Sequence, residues 1–492
     1  MGLPAYVGDL ARIEWSVHVQ KNNTTLPIVP VAKTAANPSL TILPVNWRHL
    51  PSLMRPEQER TVPQRQPTHV MVWRHPTSRR LHYREAADID LLALKLIIED
   101  IDLKKAAALG KATPGELKLA IEHAIAEGLL VAAASRIRRP APIRANADAC
   151  LETMLAADLF TLQWHITQAC DLHCRHCYDR SNRTAMSIDT ALALLDDFHD
   201  FCAQLSVRGQ VTFTGGNPFL YPHFETVYQA ASQWGFGIAI LGNPAPRQQL
   251  RRLVDMAKPL YVQISLEGLQ THNDYMRGEG HFKRSLAFLG DLRKLGIFSM
   301  VMLTLTRDNI DQVIPLADRL AGLADQFTFN RLATVGEGAA LQMPDENRFK
   351  QFLREYADKA ATSPHMGLKD NLFNIMRHSN GQAPLGGCTG YGCGAAFNFM
   401  AVLPDGEVHA CRKFPSRIGS IQAQRLAEIY NSELAQRYRA GSDACGRCIL
   451  NLACRGCPAI THSLGLDVFS DKDPYCFASE AMITGRASPV QR

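Results

Sequence analysis

Hydrophobic residues between positions 159 and 332 fall in short continuous runs, separated by longer amphipathic stretches such as 187–206, where Ser187 stands as an N-cap. Continuous apolar runs bounded by polar turns are typical of strands in a parallel sheet, and the stretches between them have helical spacing. The predicted strands are 160–167, 210–215, 237–241, 260–266, 299–306 and 326–332. Six strand–helix units predict an α/β fold, a partial (β/α)6 TIM barrel with its active site at the carboxyl ends of the strands.

A different pattern precedes this barrel. Residues 1–64 are punctuated by proline, which predicts an N-terminal extension of extended or short helical pieces without its own core. Residues 69–85 read as two short strands, and two helical stretches follow, the second with Thr113 as its cap and Gly128 near its end. Strands with short helices indicate a winged-helix-like module over residues 65–140, which could bind DNA or dock a peptide on a strand edge.

The remaining boundaries follow from composition. The predicted barrel region is 150–345, a helical connector covers 346–387, a cysteine-rich module covers 388–480 and a tail covers 481–492. A basic linker is predicted between the first module and the barrel, at Arg136, Arg138, Arg139, Pro140, Pro142 and Arg144.

Length and composition limit the protein class. A chain of 492 residues is too long for one hydrophobic core, which predicts two or three domains. Its 46% hydrophobic and 20% charged residues are those of a globular protein. No apolar stretch approaches the ~18 residues of a membrane span, and the first residues lack the basic region of a secretion signal. We therefore expect a cytoplasmic protein without membrane contact.

The net charge of +6 is unevenly distributed. Residues 1–150 carry 20 Lys and Arg against 14 Asp and Glu, and the remaining residues carry 33 of each sign. A basic front module on a neutral body suggests an acidic partner, either a peptide or a nucleic acid.

The 13 cysteines indicate two separate sulfur-rich sites. In a reducing cytoplasm they favour metal or redox roles over disulfides. None occurs before Cys150, which is followed by Cys170, Cys174, Cys177 and Cys202, and eight more lie between Cys388 and Cys476.

Cys170, Cys174 and Cys177 form a C-x3-C-x2-C loop directly after the first barrel strand. Three thiolates from one loop can hold an iron–sulfur cluster and leave its fourth iron open to a small chelating molecule. The alternative is a structural zinc site. Such a site requires four ligands, and the fourth would be His173 or His176.

This loop resembles that of the radical S-adenosylmethionine (radical SAM) superfamily. The resemblance implies that Cys170, Cys174 and Cys177 are the catalytic cluster ligands and that His176 lies near the adenine of bound S-adenosylmethionine (SAM). Gly215-Gly216-Asn217-Pro218 stands in place of the family's Gly-Gly-Glu-Pro segment. The two glycines would let the backbone approach the methionine ammonium group, and the Asn217 amide oxygen would accept a hydrogen bond from it, although more weakly than a carboxylate.

Two further cofactor contacts follow from the same resemblance. Ser265-Leu266-Glu267-Gly268 is similar to a Ser-Leu-Asp-Gly segment in related maturases. Ser265 is then the ribose or carboxylate contact, and Arg277 is the partner of the methionine carboxylate. The alternative for Arg277 is a solvated loop arginine.

The C-terminal cysteines resemble the SPASM extension of peptide-maturing radical SAM enzymes, which holds two auxiliary 4Fe–4S clusters. The resemblance implies three 4Fe–4S clusters in all. The first auxiliary cluster would be bound by Cys388, Cys393, Cys411 and Cys457, and the second by Cys445, Cys448, Cys454 and Cys476. Two spacings depart from the common pattern, and a pair of zinc-ribbon knuckles is the alternative. Cys202, in an apolar helix, reads as a buried small hydrophobe.

The resemblance also implies the chemistry. An electron enters the first cluster, SAM is cleaved to methionine and a 5′-deoxyadenosyl radical, and the radical takes a hydrogen atom from substrate. Sulfatase-activating relatives carry an Asp that serves as a base directly after the cysteine that corresponds to Cys411. In this chain Arg412 and Lys413 follow Cys411. Formylglycine formation is therefore not expected.

The expected substrate is a ribosomally made precursor peptide, whose leader the basic module would recruit, with modification at or near cysteine. The electron donor would be a protein such as ferredoxin or flavodoxin, and nucleic acid is not an expected partner. Residues 391–421, together with Gly215-Gly216-Asn217-Pro218, resemble the thio(seleno)oxazole-type or selenobiotic peptide maturases. Two alternatives stay open: a radical SAM enzyme for a small molecule, and a zinc-ribbon and winged-helix regulator.

Overall fold

The structure, a computed structural model, describes residues 3–22, 31–139 and 154–484. Cys150, part of the predicted basic linker (Pro140, Pro142 and Arg144) and most of the predicted tail lie outside these residues. The chain forms two compact units. Unit 1 comprises Met1–Ala134 with Gln233–Gly235, and unit 2 comprises Ser135–Ser232 with Phe236–Arg492.

Unit 1 contains a three-stranded antiparallel sheet of order β2-β3-β4 and a two-stranded pair of β1 with β5. Its strands are β1 (Ala35–Ala36), β2 (Thr41–Arg48), β3 (Gln64–Arg74), β4 (Leu81–Glu85) and β5 (Leu130–Val131). Its helices are α1 (Val7–Asn22), α2 (Asp88–Ile98), α3 (Leu103–Gly110) and α4 (Pro114–Ala126).

The second half of strand β3 is buried on both faces, which explains its continuous apolar run. Val70 packs in a cluster with Ile13 of α1 and Val45 of β2. Met71 and Trp73 join a second cluster with residues of α2 and α4. Because side chains alternate between the faces of a strand, helices on both sides bury every residue from Val70 to Trp73.

The predicted strands and helices of this unit are confirmed, including the cap of α4. Thr113 Oγ1 accepts a hydrogen bond from the Glu116 amide at 3.2 Å, and Gly128 has a positive φ of 76° after the helix end. The described residues of 1–64 have no core of their own, as expected, but they are more regular than extended or short helical pieces. They form the 16-residue helix α1 and the strand β2, which pairs with β3. Their apolar residues pack into the same core as Val70 of β3. The winged-helix assignment itself stays a prediction.

Unit 2 is built on a nine-stranded sheet of order β11-β10-β9-β8-β7-β6-β12-β13-β14. Strands β6 to β11 pair in parallel, with helices between them, and this arrangement is consistent with the predicted partial barrel. The six predicted strands are confirmed within two residues at each end: β6 (Leu159–Thr167), β7 (Arg208–Gly215), β8 (Gly237–Leu241), β9 (Tyr261–Ser265), β10 (Ser299–Leu305) and β11 (Gln326–Arg331).

The helices between these strands have apolar faces that pack on the sheet. Ser187 caps the first of them, accepting a hydrogen bond from the Thr190 amide at 3.2 Å. They are α5 (Ile188–Leu205), α6 (Phe224–Gln233), α7 (Arg247–Met256), α8 (Gln270–Arg277), α9 (His281–Lys294), α10 (Val313–Leu320) and α11 (Glu346–Thr362). The predicted connector is helical and continues into α12 (Phe373–Ser379).

The C-terminal segments complete the sheet beside the first barrel strand. Strand β12 (Phe399–Val402) pairs in parallel with β6, and β13 (Glu407–His409) and β14 (Arg417–Ser420) follow as antiparallel strands. The last helices are α13 (Leu426–Asn431), α14 (Glu433–Ala440), α15 (Pro458–Ser463) and α16 (Glu480–Thr484). The core of the barrel and the packing of the cysteine-rich region are therefore continuous through β6 and β12.

Arg139 is not part of a solvated basic linker, contrary to expectation. Its guanidinium is buried and donates hydrogen bonds to the carbonyl oxygens of Tyr391, Cys393 (2.6 Å) and Leu452 (3.1 Å). It also lies over the ring of Phe397, 4.1 Å from the ring centroid. The sequence pattern could not show this, because the carbonyl acceptors come from backbone far away along the chain.

Candidate active site

The loop with Cys170, Cys174 and Cys177 begins where β6 ends, and the Gly-Gly segment after β7 holds its base. The Gly216 amide donates to the Thr167 carbonyl at 2.8 Å, and the Asn217 amide donates to the Ala169 carbonyl at 2.7 Å. A Cβ on Gly216 would lie 2.2 Å from the Ala169 oxygen, closer than side-chain carbons approach. Positions 215 and 216 therefore both require glycine, so that the cysteine loop can lie against the strand end.

A cavity of about 260 Å³ opens at the carboxyl ends of the parallel strands. Its walls include the three loop cysteines and residues from the ends of β7 to β11. Of the residues expected to bind SAM, it is lined by His176, Gly215, Gly216, Ser265 and Arg277. The structure thus brings these separate motifs to one place, at the end of the sheet where the barrel architecture predicts an active site.

The donor set of the loop fits an iron–sulfur cluster. Burial raises the pKa of the Cys174 and Cys177 thiols, so that cluster binding must displace their protons. Cys170 is exposed. Among the described residues, no three His, Cys, Asp or Glu side chains converge closely enough to hold one metal ion. A 4Fe–4S cluster does not need such convergence, because each thiolate binds a different iron.

Arg277 is buried in an ion pair and is not a solvated loop arginine. Its Nε and Nη2 donate to Glu267 Oε1 at 2.8 and 2.6 Å, and its Nη1 lies 3.6 Å from Cys174 Sγ. Burial raises the pKa of Glu267, but the charge of Arg277 and the hydrogen bonds from Arg277 and the Thr304 amide outweigh burial, and the net pKa lies below its usual value. The other carboxylate oxygen accepts from the Thr304 amide at 2.7 Å. Sequence reasoning missed Glu267 as a site residue, although it stands in the quoted Ser-Leu-Glu-Gly segment.

His176 contacts this ion pair and also lines the cavity. Its Nε2 is 3.2 Å from Arg277 Nη2 and 3.3 Å from Glu267 Oε1. Burial lowers the pKa of its imidazole to about 4, so the ring is neutral at pH 7. Its buried Nδ1 has no hydrogen-bond partner among the described residues. A buried polar atom without a partner in a cavity wall fits a site that a polar ligand completes.

Asn217 is placed behind the cavity wall. Its side-chain amide donates to Asp171 Oδ1 at 2.9 Å, and its Oδ1 accepts from the Phe219 amide at 3.4 Å. Asn243 also donates to Asp171 Oδ1, at 2.7 Å, and lies 3.6 Å from Cys170 Sγ. The sequence analysis did not identify Asp171 and Asn243 as site residues. The only indication was their position in the chain, since Asp171 follows Cys170 and Asn243 comes shortly after the end of β8. The expected contact of Asn217 with the ammonium group stays a prediction.

The eight C-terminal cysteines lie in the two groups that the resemblance implied. Cys388, Cys393, Cys411 and Cys457 interact electrostatically with one another. Cys445, Cys448, Cys454 and Cys476 line a second, smaller cavity. Burial raises the pKa of Cys411 and of Cys445 to about 11. This grouping fits two four-thiolate sites, and the assignment of individual ligands remains a proposal.

Buried ion pairs connect the barrel to the cysteine-rich region. Arg331, buried, donates to Asp370 at 2.7 Å and to both oxygens of Asp473 at 2.9 and 2.7 Å, which ties β11 to the cysteine-rich region. Cys202 is buried in α5, as expected for a small apolar residue.

Two family models match parts of the chain. Residues 164–320 match the radical SAM superfamily, and residues 393–458 match SPASM, an iron–sulfur cluster-binding domain. The chain therefore carries a radical SAM domain followed by a SPASM domain, which supports SAM binding and iron–sulfur clusters. No helix of the described residues is long and apolar enough to cross a membrane.

Relatives with different names are similar to this chain in sequence. AdoMet-dependent heme synthase of Methanosarcina barkeri is 23% identical over 345 residues, which cover 64% of this chain and 95% of the relative. Mycofactocin maturase MftC of Mycobacterium ulcerans is 26% identical over 67% of this chain and 92% of its own. Both are similar to this chain at a level that leaves the substrate open.

Streptococcus suis SuiB is similar in structure. Bound to S-adenosylmethionine, it matches with a TM-score of 0.51 and 17% identity over 83% of this chain and 96% of its own. The same protein bound to precursor peptide SuiA matches with a TM-score of 0.50. At this identity the likeness shows the fold alone, which is the α/β fold of radical SAM enzymes.

Proposed function

We propose that this radical SAM enzyme modifies a ribosomally synthesised precursor peptide by hydrogen abstraction at or near cysteine residues, forming a thioether or a related cysteine-centred product. The observation that carries the proposal is the cavity at the strand ends, into which Cys170, Cys174 and Cys177 open beside the Gly-Gly segment and Ser265. That juxtaposition supports a cluster and SAM at one wall with room for a substrate group beside them.

The residues of the chain have distinct roles in this proposal. SAM bound at the first cluster supplies a 5′-deoxyadenosyl radical on reduction. Gly215 and Gly216 fix the cysteine loop, and Ser265 offers a hydroxyl to the ribose or carboxylate. Arg277, oriented by two hydrogen bonds to Glu267, offers Nη1 to the methionine carboxylate. His176 offers its unpartnered Nδ1 near the adenine.

The two groups of four C-terminal cysteines are proposed to hold two further 4Fe–4S clusters, giving three in all. Four thiolates for each would leave no iron open, which favours electron transfer over direct substrate binding. A ferredoxin or flavodoxin is the proposed electron donor. The similarity of residues 391–421 to thio(seleno)oxazole-type or selenobiotic maturases supports a peptide product without defining it.

Unit 1 supports recruitment of the precursor by its leader. Strand β4 is an edge strand whose only strand neighbour among the described residues is β3. An extended peptide can add to such an edge through main-chain hydrogen bonds. Arg79 and Arg80 are exposed near its start and suit an acidic leader. SuiB, whose structure is known with precursor peptide SuiA, and the maturase MftC are the relatives that favour a peptide.

Not every arginine of the module is available for steering a leader. Arg84 donates to both carboxylate oxygens of Asp90, at 2.5 and 3.0 Å, and Asp90 is fully buried. Arg74 donates to the carbonyl oxygens of Arg79 and Gln20, at 2.8 and 2.5 Å. These two charges are held by partners within the module, so the steering proposal rests on the exposed Arg80.

The test uses anaerobically reconstituted protein with SAM, dithionite and a small Cys-rich precursor encoded beside the gene. We expect 5′-deoxyadenosine and a mass change on the peptide. Changing Cys170, Cys174 and Cys177 together to Ala should remove one cluster's iron and abolish both products, whereas Cys202→Ala should retain them. SAM cleavage by the triple variant would refute the cluster assignment.

A small-molecule substrate is the second candidate, favoured by the relatives named heme synthases. Removing residues 1–134, which keeps Arg139 and its contacts in unit 2, separates the two. If a leader is recruited, modification of full-length precursor should fall far more than that of a leaderless core peptide, while SAM cleavage stays measurable. Turnover of a porphyrin with no peptide turnover would favour the small molecule. Zinc in place of iron in the anaerobic protein would favour the zinc-ribbon regulator.

A further inference from the structure

The cavity is lined by six charged side chains, and four of them are neutralised by partners. Arg277 is paired with Glu267, and Arg331 with Asp370 and Asp473. Arg180 Nε lies 3.8 Å from Glu337, and Asp179 lies 3.6 Å from Arg183. The two that remain are Arg412 and Lys413.

Neither Arg412 nor Lys413 has a carboxylate within 4.0 Å among the residues that the structure describes. Arg412 Nη1 donates to Thr214 Oγ1 at 3.3 Å, next to the end of β7, and also interacts with the phenol of Tyr178. Tyr178 in turn lies 3.3 Å from His165 Nε2. Arg412 thus projects from the C-terminal region toward the barrel strands, where its hydrogen-bonding partners are neutral, and the nearby charges of Lys369 and Lys413 have the same sign as its own.

The backbone that carries these cations is fixed. The Ala410 amide donates to the Ser416 carbonyl at 2.9 Å, and the Cys411 amide donates to Ser416 Oγ at 3.0 Å. The Ser416 hydroxyl donates back to the Cys411 carbonyl at 2.9 Å, and its amide donates to His409 Nδ1 at 3.1 Å. A closed turn of this kind presents both side chains at defined positions, which lowers the ordering cost of binding an anion.

We propose that Arg412, with Lys413 beside it, binds a carboxylate of the substrate and so selects substrates that carry one near the reacting carbon. The inference rests on the proposed function only in that this cavity receives the substrate. A guanidinium matches carboxylate geometry in a two-point hydrogen bond, and a half-buried cation without a counter-ion gains more from such a partner than a solvated one. The carboxylate comes from an acidic side chain of a peptide or from a free terminal or small-molecule acid.

The rival explanation is charge balance for the first auxiliary site. Lys413 interacts electrostatically with Cys411 and Cys457, and Lys369 with Cys388. Arg412 also lies within electrostatic range of Lys369, but its hydrogen-bonding contacts are with Thr214 and Tyr178 on the barrel side. Arg412 is therefore the residue that separates the two explanations.

The experiment measures ligand binding to the reconstituted full chain with SAM bound, by saturation-transfer difference NMR. The probes are glutarate and its neutral analogue glutaramide. We expect the parent protein to bind glutarate and not glutaramide. Losing a charged hydrogen bond should weaken glutarate binding about tenfold to a hundredfold in Arg412→Gln, and less in Arg412→Lys. Lys472→Gln, which changes an exposed cation of the same region, should bind like the parent.

Three capped tripeptides then identify the source of the carboxylate. They are acetyl-Gly-Glu-Gly-amide, acetyl-Gly-Gln-Gly-amide and acetyl-Gly-Gln-Gly with a free C-terminus. Preference for the first supports an acidic side chain, and preference for the third supports a terminal carboxylate. Binding of glutarate with none of the tripeptides supports the carboxylate site and contradicts the peptide function, so the two failures are distinguishable.

Iron content and SAM affinity should be unchanged in Arg412→Gln, which shows that the variant is folded. Equal binding of glutarate and glutaramide, no glutarate binding by the parent, or full glutarate binding by Arg412→Gln would each overturn the proposal. Charge balance predicts a lower midpoint potential of an auxiliary cluster in Arg412→Gln with carboxylate binding intact, and that result would also overturn it.

Discussion

Arg277 and Glu267 form a two-point ion pair at the wall of the cavity, with both guanidinium donors on one carboxylate oxygen. Both side chains are almost wholly inaccessible to solvent. A buried charge that loses its partner is strongly destabilising, whereas replacing both partners by neutral groups costs little. The pair therefore has two separable roles, in the fold and in binding SAM.

The first prediction separates these roles. Arg277→Met should lower the free energy of unfolding by about 3 kcal/mol, because Glu267 stays buried without a counter-charge. It should also weaken SAM binding by about 1–3 kcal/mol, the range for a charged hydrogen bond. Adding Glu267→Gln should restore most of the stability but not the affinity. Denaturant unfolding and SAM binding isotherms measure the two effects, and recovery of both in the double variant would remove Arg277 from the SAM site.

The second prediction concerns the glycine that holds the cysteine loop. A Cβ at position 216 would collide with the Ala169 carbonyl, so Gly216→Ala should displace the loop and remove one cluster's iron together with SAM binding. Gly290→Ala is the matched control, because nothing lies within 4 Å of its added carbon. In the middle of helix α9 it should stabilise the protein by about 0.5–1 kcal/mol. Full iron content in Gly216→Ala, by metal analysis, would contradict the role assigned to this glycine.

The third prediction compares two neighbouring arginines of unit 1. Arg84→Gln should lower stability by about 3 kcal/mol, since it leaves Asp90 buried and unpaired. Arg80→Gln, at an exposed position, should change stability by less than about 0.5 kcal/mol but slow association with an acidic leader, most clearly at low salt. Thermal unfolding and stopped-flow binding are the measurements. If Arg80→Gln binds leader like the parent at every salt concentration, Arg80 does not steer it.

The fourth prediction is a pH dependence. Burial lowers the pKa of His281 to about 3, against an unfolded value of about 6.5. The unfolded chain therefore binds the proton more tightly, so this contribution to stability is complete above pH 6.5 and is lost as the pH falls toward 3. Between pH 8 and pH 5 the loss should be about 2 kcal/mol.

His281→Gln should show a flatter decline in its urea midpoint over the same range. Burial is the main cause of the lowered pKa of His281; Arg277 and Arg284 lower this pKa further, whereas Glu267 and Asp274 raise it. The ring contacts Asn273 and Ser285. Equal pH slopes in parent and variant would show that other groups govern the acid sensitivity.

Local pattern predicted much of the fold. The six parallel strands and the cap of α4 depend on hydrophobic runs and on residues a few positions apart, and sequence shows both directly. Strand β2 was missed because proline at positions 44 and 51 suggested irregular structure, whereas Pro44 lies within an edge strand, where a missing amide hydrogen is tolerated.

The site residues that belong to a local sequence motif were predictable. The contacts between segments that lie far apart in the chain were not. The cysteine spacing pointed to the loop, but the partners of Arg277, Asp171 and Arg139 come from other elements that only the folded chain brings near. Arg139 shows this most clearly, because three backbone carbonyls replace the carboxylate that sequence reasoning would look for.

The pairing of β12 with β6 has a consequence for synthesis. Strand β6 leaves the ribosome long before β12 exists, so one edge of the growing sheet stays unpaired until Phe399–Val402 emerges. Open edges of this kind recruit other chains. A chain that stops before β12 also lacks Leu452, and the carbonyl of Cys393 is not yet held in position to accept a hydrogen bond from Arg139. Truncated products should therefore aggregate.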